Sequence, residues 1–211
     1  MSMTPSHRAF LHQVVSRHVP TCYQRLLIHE PTLAAAETQT VLPPGVIVQK
    51  TITLQLGPLL LQVTSIGDFS LGRRSIRAIA SALGLSRREA SHHSINPTHC
   101  DPEKEYGLQA GMVSPFLPPK YPTRLAAVVQ IPWPVDWERE QREVAIALSL
   151  CESLMLPLSS FLDVLREYAK RAYPDQVSFV ILPEGCGSGS HERWSVLDYS
   201  DGETERDKHY A

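Results

Sequence analysis

Residues 46–65 read VIVQKTITLQLGPLLLQVTS, and their spacing decides the architecture. From Val46 the apolar residues recur at every second position, the period of a strand with two unlike faces. Ile47, Gln49, Thr51, Thr53 and Gln55 share one face; Val48, Lys50, Ile52, Leu54 and Leu56 share the other. Gly57-Pro58 interrupts the run and LLLQVTS resumes it, so the segment predicts a β-hairpin. One residue breaks the pattern. Lys50 falls on the apolar face, where its ammonium must either snorkel past the sheet edge or line a cavity. In a cleft it would hold a phosphate or an ester carbonyl as a point charge.

On the N-terminal side, Ser6 to Val19 has helical spacing and Pro20 closes it. CYQRLLIHE (22–30) predicts a short strand, and Thr32–Glu37 a brief helical turn ahead of Pro43-Pro44-Gly45. Beyond the hairpin, Ser70 is placed to cap a helix through SLGRRSIRAIASALG, with Gly84 at its C-terminal end. Ser86 and Glu89 form a capping box for a further short helix. Asp101–Tyr106 offers one more helical turn. LAAVVQI (125–131), EVAIALS (143–149) and VSFVIL (177–182) predict strands. Ser159 or Ser160 is placed to cap the amphipathic FLDVLREYAKRA. Strands and helices alternate irregularly, which predicts an α+β (mixed α/β) fold. It is a single domain over 1–184, a curled, partly barrel-like mixed sheet flanked by helices. From Gly185 the chain is polar and rich in glycine and serine, so 185–211 is expected to be a flexible tail.

Composition removes several classes of function. With 43 % hydrophobic and 20 % charged residues the 211-residue chain fits a soluble globular protein. A net charge of −2 argues against a dedicated duplex-DNA binder, so any nucleic-acid contact must be local. The four cysteines are far apart with no CxxC pair, which disfavours a zinc ribbon or a redox motif. No apolar run is long enough for a signal peptide or a membrane span, so free thiols in the cytosol are the expectation. His92, His93, His99 and Cys100 cluster loosely but match no zinc spacing. There is no GxSxG elbow, no P-loop and no GxGxxG.

The centre of the chain poses a separate question. Residues 106–122 read YGLQAGMVSPFLPPKYP, stiff with proline yet carrying Leu108, Met112, Val113, Phe116 and Leu117. Within it, Gly111-Met112-Val113-Ser114-Pro115 joins a residue that permits close backbone approach to one that fixes φ. Peptide groups in such a loop bind a ligand or a water without any catalytic side chain. A plain structural turn is the alternative.

Three stretches in order, HEPTLAAAE (29–37), VQKTITLQL (48–56) and YGLQAGMVSPF (106–116), resemble the YbaK/prolyl-tRNA synthetase editing-domain family. The likeness extends more weakly through VAIALSLCESLMLPLSSFLDVL (144–165) and covers roughly residues 20–170. Lys50 falls on the family's lysine, Gly111 to Pro115 on its Gly-x-x-x-Pro loop, and Gly107 on the glycine upstream. The resemblance implies hydrolysis of the aminoacyl ester of mischarged tRNA in trans, without metal or other cofactor. Lys50 and Gly111 would be catalytic; Gly107, Met112, Val113, Ser114 and Pro115 would bind substrate. The implied partners are the tRNA acceptor end and an aminoacyl-tRNA synthetase, with Arg73, Arg74 and Arg77 assisting or simply solvated. Relatives often carry a glycine-containing turn before the penultimate strand, whereas WPVDWEREQREVA (133–145) has none. The alternative is therefore a catalytically silent module of the same fold that binds tRNA or a synthetase.

Overall fold

The computed structural model describes residues 3–32, 35–95, 113–119, 124–173, 175–184 and 186. In chain order the helices are α1 (Pro5–His18), α2 (Ala35–Val41), α3 (Arg73–Ala82), α4 (Arg87–Ser91), α5 (Asp136–Arg139) and α6 (Leu158–Ala172). The strands are β1 (Arg25–Ile28), β2 (Val46–Leu56), β3 (Leu59–Ile66), β4 (His93–Ile95), β5 (Leu125–Gln130), β6 (Glu143–Ser149), β7 (Glu152–Pro157) and β8 (Ser178–Ile181). Among the described residues the sheet runs β1-β7-β6-β2-β3-β5-β8, with β4 added on β2. β2–β6, β3–β5 and β5–β8 are parallel, and the remaining pairs are antiparallel. The expected mixed sheet flanked by helices is what forms.

The hairpin follows its pattern residue for residue: Gln49 pairs with Ile66 and Leu56 with Leu59 across the Gly57-Pro58 turn. Gly57 takes φ +55, a conformation that suits glycine. The alternation then sorts the two cores. Ile47 joins Ile66 and Val144 in a cluster that α1 closes through Leu11, Val14 and Val15. α6 closes the same cluster through Phe161, Val164, Leu165 and Tyr168. On the other face, Leu54, Leu56, Leu61 and Val63 receive Ile76, Ile79 and Ala80 of α3. Each helix thus buries a stripe on one side of the sheet and leaves its opposite side in water.

Several boundaries differ from the expectation. Ser70 does not cap α3: the N-cap is Gly72, with no side-chain hydrogen bond. Neither Ser159 nor Ser160 caps α6, which begins at Leu158 after Pro157. Leu158 is fully buried, so core packing and not a polar cap sets that start. The Ser86–Glu89 capping box is present, and Gly84 ends α3 at φ +70, with Leu85 N–H on the Ala80 carbonyl at 2.8 Å. Strands β4 and β7 and helix α5 go beyond what the sequence pattern predicts. Asp101–Tyr106, His99 and Cys100 lie outside the described residues. The tail 185–211 does so too, apart from Cys186, which is buried with Leu182 in the α3-side core.

The glycine-free segment 133–145 still makes a turn of left-handed backbone. Gln141 takes it, at φ 55. A side chain in that region costs about 1–2 kcal/mol, partly offset by the chain entropy a glycine would lose. Gln141→Gly is therefore expected to stabilise the fold by about 0.5–1 kcal/mol. Thermal melting should rise by about 1–4 °C; a lower melting temperature would show that the glutamine side chain matters more than the backbone.

Candidate functional site

Lys50 sits where the sheet leaves an opening. On the edge of β2 away from β3, β6 pairs with Val46–Val48 and β4 with Leu54–Leu56. Among the described residues no strand lies alongside Gln49 to Thr53 on that edge. The Lys50 side chain belongs to the face of Val46, Val48, Leu54 and Leu56, between the small core around Leu42 and the α3-side core. It is 21 % exposed, and its ammonium reaches the Asp68 carboxylate, whose side chain is 93 % exposed. An ion pair with so open a partner contributes about 0–1 kcal/mol, so an incoming anion can replace it at little cost. The apolar-face position of Lys50, read from alternation alone, holds in the structure.

Gly67 makes this geometry. It leaves β3 at φ +72, and a Cβ there would stand 3.2 Å from both Ile47 and Trp137. The turn that carries Asp68 toward Lys50 thus needs glycine on two counts, conformation and space. Trp137 comes from the glycine-free segment, and the Arg142 guanidinium stacks 5.0 Å from the centre of its ring. That segment therefore packs against Gly67, the residue before Asp68, from the α1/α6 side of the sheet.

Val113, Ser114 and Pro115 are placed elsewhere. Phe116 is fully buried edge-on to Phe161 (6.0 Å) and Tyr168 (5.1 Å) of α6. Leu117 and Val113 pack with Leu60 and Val128. The Tyr168 hydroxyl donates to the Leu117 carbonyl, and the Tyr173 hydroxyl to the Pro115 carbonyl at 2.8 Å. Burial pushes both phenols above their ordinary range, with Tyr168 adding to the effect on Tyr173. All of this lies on the α1/α6 side of the sheet, opposite Lys50. Gly107, Gly111 and Met112 lie outside the described residues. The structure does not bring Lys50 and the described part of the loop onto one face.

The same side holds a buried polar row that the sequence analysis did not single out. Gln49 Nε2 donates to Thr51 Oγ1 and Thr64 Oγ1, each at 2.5 Å. Thr64 Oγ1 donates to the Lys50 carbonyl at 2.9 Å. Gln62 and Gln130 are fully buried nearby in register, and the Gln62 amide and Gln130 Oε1 have no hydrogen-bond partner among the described residues. Leaving such groups unpaired costs about 1–3 kcal/mol each. The hairpin alternation already carried this signal, since Gln62 and Thr64 fall on the Gln49 face. On the same side of the sheet His7 of α1 is buried with its ring 6.3 Å from that of Tyr168; desolvation lowers its imidazole to about 4, against a raising backbone hydrogen bond at Phe116. Among the described residues no three His, Cys, Asp or Glu side chains group to hold a metal ion. Among them, too, no helix is long and apolar enough to cross a membrane.

No protein-family model matches the chain, and no curated protein matches it. The solved structures similar to it include two of low identity. One is a candidate trans-editing enzyme for prolyl tRNA synthetase, 13 % identical, with a TM-score of 0.47, covering 87 % of this chain and 100 % of that one. The other comes from work on epitope backbone grafting onto scaffold proteins by computational design. It is 14 % identical, with a TM-score of 0.45, covering 87 % of this chain and 99 % of that one.

Proposed function

We propose that the chain is an aminoacyl-tRNA deacylase acting in trans, with Lys50 holding the terminal phosphate or ribose of the substrate. The observation that carries this is Lys50 itself. It is the single charge on an otherwise apolar strand face, beside a stretch of β2 whose second edge has no strand among the described residues, and it is tied to an open carboxylate. A lysine so placed is a poor stabilising device and a good anion anchor. The sequence resemblance supplies the substrate class. Water attacks the ester carbonyl, the bond to the ribose oxygen breaks, and the free amino acid and the ribose hydroxyl leave. Lys50 orients the ester from its own side of the sheet, with a ribose hydroxyl of the substrate as proton carrier. Orientation supplies much of the acceleration that an activated ester needs. We place this work in the cytosol, beside an aminoacyl-tRNA synthetase.

A second reading is favoured by Trp137. Its ring fills the corner against Gly67, in a segment with no glycine. A pocket narrowed there would leave a module that binds tRNA or a synthetase without turnover. Incubating the protein with a panel of mischarged tRNAs separates the two. Loss of the aminoacyl ester well above the spontaneous rate is expected for at least one pair. Retention of every ester, with measurable binding, would leave the module.

A further inference from the structure

The exposed side of α3 and α4 carries a concentration of positive charge that no carboxylate among the described residues answers. Arg73, Arg74, Arg77, Arg87 and Arg88 are all exposed. Among the described residues no carboxylate lies within ion-pair distance of any of them. Arginines elsewhere behave differently. Arg8 faces Glu152, Arg25 faces Glu143 and Arg166 faces Asp163. The one acidic residue of α3 and α4 is turned inward on its own helix, with Glu89 Oε2 accepting from Ser86 N–H and Oγ. This local excess of four positive charges occurs in a chain whose net charge is −2.

The placement also runs against helix electrostatics. Arg73 and Arg74 occupy the first turn of α3, where the peptide dipoles already present positive charge. The N-cap is Gly72, without a side-chain bond, and the first turn holds no acidic residue. An arrangement that repels itself in isolation is relieved by an external anion. α3 lies on the same side of the sheet as Lys50, and Asp68, the partner of Lys50, lies just ahead of it. The patch has no aromatic residue between Arg73 and Ser91, so it offers charge without a stacking platform.

We propose that α3 and α4 form a docking surface for the phosphate backbone of duplex RNA, the stem next to the acylated end held at Lys50. The proposal rests on the deacylase reading for its choice of RNA. Phosphate contacts of this kind give affinity and register without sequence preference. The lack of aromatic residues favours a duplex over a single strand.

The test uses the full chain and an unacylated RNA hairpin with a short 3′ overhang. Arg73→Glu/Arg74→Glu/Arg77→Glu is expected to weaken binding by at least about 100-fold. The slope of log affinity against log salt should flatten by about 0.7–0.9 for each phosphate no longer neutralised. Arg17→Glu/Arg166→Glu, on α1 and α6, should bind as the wild type. All five positions are exposed, and circular dichroism of each variant confirms the fold. Unchanged affinity or salt slope in the triple variant would overturn the proposal. So would equal binding of single-stranded RNA, or a preference for anionic lipid vesicles over the hairpin. Ester hydrolysis is measured separately. Hairpin binding that depends on the arginines, without hydrolysis of any mischarged tRNA, would sink the deacylase reading and leave the surface standing. Hydrolysis that ignores the arginines would do the reverse.

Discussion

Lys50→Ala is expected to lower deacylation of the best mischarged tRNA by about 100-fold while the protein stays folded, if the proposed function holds. The size follows from the role: a charge that positions an ester loses about two orders of magnitude when removed, as misplacement of a reacting group does. The fold should barely notice. The Asp68 side chain is 93 % exposed, and a surface pair of this kind contributes about 0–1 kcal/mol. An alanine also suits a strand face shared with Val48 and Leu54. Single-turnover hydrolysis and thermal melting measured on one preparation separate chemistry from stability. Asp68→Ala is the companion variant. If Asp68 only keeps the site occupied until substrate arrives, its loss leaves turnover within a few-fold. Unchanged hydrolysis in Lys50→Ala would remove the lysine from the mechanism.

Phe116→Ala is expected to cost about 3–5 kcal/mol, the range for truncating a buried aromatic residue. Phe116 is fully buried, with its ring edge-on to both Phe161 and Tyr168. For a chain of this length the melting temperature should fall by roughly 6–20 °C. This explains why so proline-rich a loop is apolar. Phe116 enters the core beneath α1 and α6, and Leu117 and Val113 fill the neighbouring cluster. The flanking peptide carbonyls are held by Tyr168 and Tyr173. A loss below about 1 kcal/mol would mean that the cluster repacks readily without the ring.

Much of this architecture is legible in the sequence because it obeys one period at a time. The hairpin reads directly because alternation over 46–65 admits one register, and a shift by one residue would move Leu54 and Leu56 out of the α3-side core and onto the face of Gln49 and Thr51. The same alternation puts Lys50 on the apolar face. β7 is not legible, since ESLMLP runs without a break into the helix at Leu158. β4 has three residues, too few for any period. The starts of α3 and α6 mislead because serine is a good cap wherever it occurs, while Leu158 and Ile76 answer to the core. The site is half legible. Lys50 stands out by its face, whereas Asp68 becomes its partner only through the turn at Gly67. The side of the sheet on which Ser114 and Pro115 settle depends on where the chain crosses, and local sequence does not encode that.

The parallel pairing at the centre of the sheet has a consequence for how the molecule comes into being. β2 meets β6 in parallel through Val46 and Glu143, and at the edge of the sheet β1 meets β7, antiparallel, through Arg25 and Met155. Contacts between such distant points must close long loops before they return any stabilisation, which slows folding. During synthesis the hairpin can form at once from neighbouring residues. The leading end of β2 and the whole of β1 wait for segments made much later. For that interval the nascent chain presents Val46, Ile47 and Val48 as an unpaired apolar edge, the part of the growing protein that most needs shelter from other chains.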